Sequence, residues 1–397
     1  MNKKLACAAI IIALECDTVK VKRKRKTWVN DWLKKRRTVS QETLSKELVL
    51  SSPGDYKNVL RMDNETFSEL LGLVTPYIAK RNTNMREAIP PSQRLSSTLQ
   101  FLATGQTFED LKFTTCISAQ CLGKIIQETC SAIIEVLKDN IKMPQSEEEW
   151  MNESESYEKL CNFPRCLGAI DGKHIKIAKP RGSFSNYYNY KRSFSLVLMA
   201  LVNSNYEFMM VDVGTNGRVS DGDVFANTQF SEQLKGKALH IPEPRALPDS
   251  NVVVPYVFVG DNPFPLMDNI MKPYAHTNLS KEEEIFNFRL SRASRIVENA
   301  FSILVSRFQI IQNTIKLCPE KASVVVLACC YLHNYLCQKN CTLYLEGIKD
   351  ENAMAVVEER QLFSLEPINV QYTSSSAKEV RNKYTHYFNN VGAVPCQ

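Results

Sequence analysis

The spacing of apolar residues changes near residue 163. Between residues 56 and 139, apolar side chains recur every three or four positions, a period that predicts amphipathic helices. After residue 163 the chain has strand-like apolar segments at 166–171, 194–202 and 206–213, and a polar turn at 203–205 separates the last two. The pattern therefore predicts a helical N-terminal region followed by a sheet that starts with a three-stranded meander.

A helix-turn-helix unit is predicted within the helical region. Residues 107–113 form a short helix and 114–118 a turn, and Ser118 can cap a longer helix that places Gln120, Lys124 and Gln127 on its outer face. That face could read DNA through residues such as Lys124, or the unit could be part of a plain helical bundle.

Later segments alternate between helix and strand. The pattern predicts helices at 223–234, 292–308 and 322–337, and a buried strand at 252–260. The acidic stretch 144–157 is predicted to be a loop or linker. The resulting domain boundaries are a basic N-terminal arm (1–50), a helical helix-turn-helix-like domain (51–143), an acidic linker (144–164), an α/β domain (165–341) and a C-terminal tail with a terminal helix (342–397).

Composition indicates a globular protein with a mild preference for polyanions. The 397 residues are 44% hydrophobic and 23% charged, with a net charge of +6. Basic clusters at 20–26 (KVKRKRK) and 34–37 (KKRR) suit nuclear import or phosphate contact, or form a solvated basic face. Residues 1–14 superficially match a secretory signal but predict a helix too short to span a bilayer, and no membrane association is expected.

Two aspartates follow apolar strands. Asp171 ends the run CLGAID and Asp261 ends the run VFVGD, which is followed by a Pro-rich exit. Carboxylates on rigid strand ends suit a hard divalent cation such as Mg²⁺. An aspartate before glycine is also common turn chemistry, so Asp171 alone does not define a metal site.

A third carboxylate lies on the predicted helix 292–308. Glu298 is about 90° from the centre of the buried stripe at ~100° per residue, so it lies at the border where the helix meets the sheet. Asp171, Asp261 and Glu298 together suit an acidic triad that holds two metal ions for displacement at phosphorus. The alternative is three unrelated acids in capping and surface roles.

Four motifs carry a family resemblance. GAIDGKHI, NGRVSDGDVF, GDNPFPL and RLSRASRIVENAFSILVSRF occur in this order, and from about residue 56 onward the chain resembles the DDE transposases of the PIF/Harbinger superfamily and the Harbinger transposase-derived nucleases. The resemblance implies an α/β fold in which residues 165–341 form an RNase H-like DDE nuclease domain, a mixed sheet flanked by helices, after an all-helical N-terminal region.

The resemblance also implies a chemistry and partners. Asp171, Asp261 and Glu298 would be catalytic metal ligands, and Mg²⁺ or Mn²⁺ the cofactor. Expected partners are DNA and a Myb/SANT- or MADF-like accessory protein that supplies DNA binding and nuclear entry. A nuclear location with a cytoplasmic pool is expected, and homodimerisation is open.

Several neighbours of the triad have two interpretations. Lys173 and His174 could touch phosphate or orient the strand. Arg289, Arg292 and Arg295 could hold the DNA backbone or form surface ion pairs. Asp221 and Asp223 lie near the site in sequence, and loop capping is the preferred interpretation for both.

Two functions compete at this point. The first is a metal-dependent DNA endonuclease, or transposase-derived nuclease, that cleaves phosphodiester bonds and could also join strands. The second is a domesticated, non-catalytic DNA- or chromatin-associated adaptor that keeps the fold. The intact set Asp171, Asp261 and Glu298 favours the nuclease, because three carboxylates repel one another without a cation.

Overall fold

The computed structural model describes residues 31–84, 87–182, 185–345 and 374–394. The first part of this range is helical, as the apolar period predicts. Its helices are α1 (Asp31–Lys34), α2 (Arg36–Val39), α3 (Gln41–Ser51), α4 (Pro53–Leu60), α5 (Asn64–Ile78), α6 (Pro91–Thr104), α7 (Phe108–Thr115) and α8 (Ala119–Val136).

The predicted helix-turn-helix arrangement is present as α7, a three-residue turn and α8. Thr107 caps α7 by accepting the backbone N–H of Asp110. Ser118 occupies the N-cap position of α8, but its side chain makes no capping hydrogen bond. The predicted outer face is partly covered, because the Gln127 amide donates to the Lys321 carbonyl at 3.3 Å.

The acidic stretch that predicted a linker is a helix, so that prediction was wrong. Helix α9 (Glu147–Cys161) starts at Ser146, whose hydroxyl accepts the Glu149 N–H, and its first turn is acidic, which suits the positive end of a helix. Trp150 and Tyr157 lie seven residues apart on one face and are fully buried. Their packing ties the helix to the sheet, where the Tyr157 hydroxyl donates to the Val202 carbonyl of β2 at 3.0 Å.

A five-stranded mixed sheet forms the centre of the second part. Its strands, in the spatial order β3-β2-β1-β6-β7, are β1 (Cys166–Lys176), β2 (Ser195–Val202), β3 (Phe208–Asn216), β6 (Val257–Gly260) and β7 (Ile270–Met271). Strands β1, β2 and β3 pair antiparallel, which confirms the meander, and β1–β6 and β6–β7 pair parallel. A separate two-stranded sheet joins β4 (Arg245–Ala246) to β5 (Val253–Val254).

Helices cover the sheet, as predicted for this fold class. Helix α12 (Lys281–Arg307) packs across β1, β2 and β6, and α13 (Pro319–Leu345) packs against β3 and α8. The short helices α10 (Asp221–Ala226) and α11 (Gln229–Lys235) replace the single helix predicted at 223–234. Their Val224, Phe225 and Phe230 belong to a second apolar cluster with Phe258 of β6.

Helix α12 is longer than its predicted core. It begins at a capping box in which the Ser280 hydroxyl accepts the Glu283 N–H and the Glu283 carboxylate accepts the Ser280 N–H. This start lies more than two turns before Arg292. The long helix gives Glu298 a rigid position in its second half.

The predicted terminal helix is α14 (Ser375–Asn389), and it packs on α12 with Tyr384 and Phe388 fully buried. It is therefore part of the folded core rather than a free tail. Residues 1–14 and the cluster 20–26 lie outside the described residues. Within the described residues, no helix combines the length and the apolarity needed to cross a bilayer.

Candidate active site

Asp171 and Asp261 lie side by side where two parallel strands diverge. Ile170 of β1 pairs with Gly260, the last residue of β6, so each aspartate directly follows a member of this pair. Asp171 lies inside β1 rather than at its end, which corrects the sequence-based expectation. The β6 side of β1 stays open beyond Ile170 until Ile177 bridges to Ile315. The end of β6, rather than the end of β1, creates the opening at Asp171.

Glu298 approaches the same opening from α12. The helix crosses β1, β2 and β6, and the negative charge of Glu298 contributes to raising the pKa of Asp171. The three predicted carboxylates are therefore close enough for Asp261 and Glu298 both to raise the pKa of Asp171. The rotation inferred from the apolar stripe was correct for Glu298.

Electrostatics at the site are strongly unfavourable for carboxylates alone. Burial raises the pKa of Asp171 well above its usual value, and the charges of Asp261, Asp221 and Glu298 raise it further. The backbone N–H of Gly172 donates to Asp171 Oδ1 at 2.7 Å, which acts in the opposite direction on the pKa. Burial also raises the pKa of Asp261. Such a cluster is stabilised by a cation.

Asp221 is a fourth carboxylate in the cluster. A Cβ on Gly172 would lie 2.5 Å from Asp221 Oδ1, so only glycine allows this close approach. The Oδ1 atom is buried without a hydrogen-bond partner. Burial raises the pKa of Asp221 to about 6; Lys191 lowers it and Asp261 raises it.

The capping interpretation was right for Asp223 and wrong for Asp221. Ser220 caps α10: its hydroxyl donates to Asp223 Oδ2 at 2.7 Å and accepts the Asp223 N–H. The motif SDGD contains the signal that separates the two residues. A capping box uses the third residue after the cap, which is Asp223, and Asp221 is left to face the sheet.

Lys173 and His174 lie on opposite faces of β1. Lys173 is two residues from Asp171, and its ammonium lies 5.6 Å from the centre of the Phe301 ring. Burial lowers the Lys173 pKa, while Asp171 and Glu298 raise it. His174 Nδ1 is 3.0 Å from Ser195 Oγ, and burial together with Lys191 lowers its pKa to about 4. The His174 ring is therefore neutral at pH 7 and bonded to the neighbouring strand.

Arg289 is not available to DNA, which corrects the sequence-based prediction. Its side chain is 2% exposed and donates to the carbonyls of Gly392 and Asn162. The guanidinium lies 4.5 Å from the centre of the Phe388 ring, so it joins α12, α14 and the end of α9. A seven-residue step along α12 separates Arg289 from Ile296, and both face the core.

The other predicted DNA contacts keep some access to solvent. Arg295 is exposed and Arg292 is partly exposed on α12. Lys124 is exposed on α8, in the helical unit rather than on the sheet. Their role as phosphate contacts stays a prediction.

The donor set at the site fits a divalent cation. Carboxylate oxygens are the preferred ligands of Mg²⁺ and Mn²⁺, and the buried Asp221 Oδ1 has no hydrogen bond to satisfy it. In the part of the chain that the structure describes, no three His, Cys, Asp or Glu side chains yet close around one ion.

Comparisons with known proteins agree with the fold. Residues 170–334 match the DDE superfamily endonuclease family. "Protein ALP1-like" of Arabidopsis thaliana is 26% identical over 295 residues, covering 72% of this chain and 71% of that protein. "Putative nuclease HARBI1" of Homo sapiens is 25% identical over 257 residues, covering 64% and 69%. The protein of the same name from Xenopus laevis is 22% identical over 295 residues, covering 72% and 78%. No solved structure matches the chain.

The matched segment contains Asp171, Asp221, Asp261 and Glu298. It also contains the five strands of the mixed sheet, apart from the first four residues of β1. The resemblance to Harbinger transposase-derived nucleases is thereby confirmed, and the mixed sheet flanked by helices is consistent with their RNase H-like core. Residues 170–334 therefore form a DDE superfamily endonuclease domain.

Proposed function

We propose that this protein is a divalent-metal-dependent DNA endonuclease that cleaves phosphodiester bonds with Asp171, Asp261 and Glu298 as its catalytic metal ligands. One observation carries the proposal: Asp261, Asp221 and Glu298 all lie close enough to Asp171 to raise its pKa. Such a concentration of negative charge costs folding free energy, which an adaptor without chemistry has no reason to retain.

The cation would be Mg²⁺ or Mn²⁺, held by Asp171, Asp261 and Glu298 with Asp221 beside them. When bound in a two-metal arrangement, it would stabilise charge on the reacting phosphate and lower the pKa of a water molecule. In hydrolysis the water oxygen bonds to phosphorus, the bond from phosphorus to the leaving oxygen breaks, and that oxygen takes up a proton. Replacing water by a 3′-hydroxyl would join strands instead.

The protein's own contribution is to hold the carboxylates and to place a positive charge beside them. The Gly172 N–H fixes one oxygen of Asp171, and the rigid middle of α12 fixes Glu298. Lys173, on the same face of β1 as Asp171, supplies a positive charge beside the carboxylates and suits contact with a phosphate oxygen.

Nicking of supercoiled plasmid in Mn²⁺ tests the proposal. We expect Asp261→Asn to lower the nicking rate at least about a hundredfold, equivalent to ~2.7 kcal/mol of transition-state stabilisation. Asp223→Asn is the matched control, because Asp223 caps α10 outside the cluster and asparagine can keep that hydrogen bond. Equal nicking by Asp261→Asn and the control would contradict the assignment of Asp261, and no nicking by the wild-type protein would favour the adaptor.

We further propose that the protein acts in the nucleus, with a cytoplasmic pool, and works with a Myb/SANT- or MADF-like DNA-binding partner, either as a monomer or as a homodimer. The basic clusters at 20–26 and 34–37 support nuclear import. Replacing the basic residues of both clusters by glutamine should leave a fluorescent fusion in the cytoplasm. Co-purification from nuclear extract would identify the partner, and an unchanged nuclear signal would contradict the role of the clusters.

A further inference from the structure

The segment between β1 and β2 carries a rigid hairpin, residues 185–194, which we call the tyrosine loop. Its centre is Asn189, a buried residue whose amide donates to Ser195 Oγ at 2.8 Å and accepts the Ser193 N–H at 3.0 Å. Backbone hydrogen bonds from Asn189 to Ser193 and from Ser195 to Tyr187 close the hairpin. The loop therefore has one defined shape before any partner binds.

Two large aromatic side chains project from this rigid loop. Tyr188 is 42% exposed and Tyr190 is 51% exposed, whereas Tyr187 packs against the core. Each exposed ring makes one edge contact, Tyr188 with Phe194 at 5.3 Å and Tyr190 with His174 at 5.4 Å between ring centres. These contacts orient the rings and still leave about half of each tyrosine open to solvent.

The surroundings of the two tyrosines are basic. Residues 177–194 contain Lys179, Arg181, Lys191 and Arg192, and no aspartate or glutamate. Lys191 lies 5.3 Å from the centre of the Tyr190 ring, and Lys191 and Arg192 are both exposed. Exposed aromatic rings interleaved with cations are the arrangement that binds single-stranded nucleic acid, because bases stack on the rings and phosphates meet the cations.

The loop also lies next to the carboxylate cluster. His174, which touches Tyr190, is three residues after Asp171 on β1. The positive charge of Lys191 acts on Asp221, Lys173 and His174 and shifts the pKa of each. His174 lies on the face of β1 opposite Asp171, so a strand held by the loop would reach the proposed cleavage site around the open edge of β1 beyond Ile170.

We propose that Tyr188 and Tyr190 stack on unpaired bases of DNA beside the phosphate to be cleaved, while Lys191 and Arg192 hold the neighbouring phosphates. This inference rests on the proposed nuclease function and specifies the form of its substrate, which is DNA with an unpaired segment at the cleavage site. A protein partner would suit the exposed tyrosines, but the four cations of residues 177–194, a segment without aspartate or glutamate, favour a polyanion.

Binding without cleavage tests the tyrosine loop. Fluorescence anisotropy of the full-length protein in EDTA would compare a fully paired duplex with a forked duplex carrying an unpaired arm. Tyr188→Ala and Tyr190→Ala should each weaken binding to the forked DNA by about fivefold to a hundredfold and change duplex affinity less than twofold. Tyr190→Phe should restore forked binding, because phenylalanine keeps the ring.

Tyr77→Ala is the matched control, since Tyr77 is 57% exposed on α5. A 2-aminopurine in the unpaired arm gives a second readout: stacking on a tyrosine quenches its fluorescence, and the alanine variants should lose that quenching. Lys191→Gln should remove one phosphate contact. The slope of log K against log [salt] should therefore become shallower by about 0.7.

Two outcomes would overturn the inference. Forked-DNA affinities of the tyrosine variants within twofold of wild type would do so, as would an equal loss for forked and paired DNA. A tyrosine-dependent change in oligomeric size without any change in DNA affinity would assign the loop to a protein interface instead. Asp261→Asn separates this inference from the nuclease proposal, because it should abolish nicking and keep tyrosine-dependent binding of forked DNA.

Discussion

Replacing Asp221 by asparagine should stabilise the metal-free protein at neutral pH. The pKa of this buried carboxyl rises from 3.8 to about 6 in the folded state. A difference of about 2 pKa units at ~1.4 kcal/mol per unit makes ionised Asp221 destabilising by about 3 kcal/mol above pH 6. Because the side chain keeps partial access to water, a gain of ~1 to 3 kcal/mol is expected for Asp221→Asn.

The sign of the pH dependence follows from the raised pKa. The folded protein holds the Asp221 proton more tightly than the unfolded chain, so the destabilisation is absent well below pH 3.8, grows as pH rises, and is complete above pH 6. By the same linkage the advantage of Asp221→Asn should fall to about one third of its size between pH 7.5 and pH 4.5.

The assay is urea unfolding in EDTA at both pH values, with Asp223→Asn as the control for a charge lost outside the cluster. Addition of Mn²⁺ at pH 7.5 should reverse the order and stabilise wild type more than Asp221→Asn, because the cation compensates the same charge. An Asp221→Asn protein no more stable than wild type at pH 7.5, or an advantage that grows as pH falls, would refute the reasoning.

Three further predictions concern positions that support the site or the core. Gly172→Ala places a Cβ against Asp221 Oδ1 and should lower the Mn²⁺ affinity, measured by calorimetry, at least about tenfold. An unchanged affinity would mean that the position of Asp221 does not matter for metal binding. Arg289→Met should lower the free energy of unfolding by ~2 to 4 kcal/mol and leave DNA affinity unchanged. Arg295→Met should lower DNA affinity and have little effect on unfolding. The reverse pattern would contradict the structure. Burial lowers the pKa of His333 to about 4. The free energy of unfolding should therefore fall by up to ~3 kcal/mol as pH drops from 6.5 to 4. In urea unfolding, His333→Gln should flatten this part of the pH profile.

Features that depend on local spacing were predicted well. The meander followed from short apolar runs and a turn signal, and the position of Glu298 followed from the period of its own helix. Helix limits were less accurate, because α12 begins at a capping box outside the apolar stripe. The acidic composition of α9 hid the spacing of Trp150 and Tyr157, which is typical of a buried helix face.

The sequence by itself determined the strand meander, the helices and the order of the three motif carboxylates, because strand and helix periods are properties of neighbouring residues. The mixed sheet was implied by the family resemblance. Only the tertiary structure decided that Asp221 joins the cluster and that Arg289 is buried. Both depend on contacts between distant segments: the approach of α10 to Gly172 across β1, and the packing of α14 on α12. The spacing of residues along one element does not specify which other element covers it, and that pairing sets the charge and access of each side chain in the site.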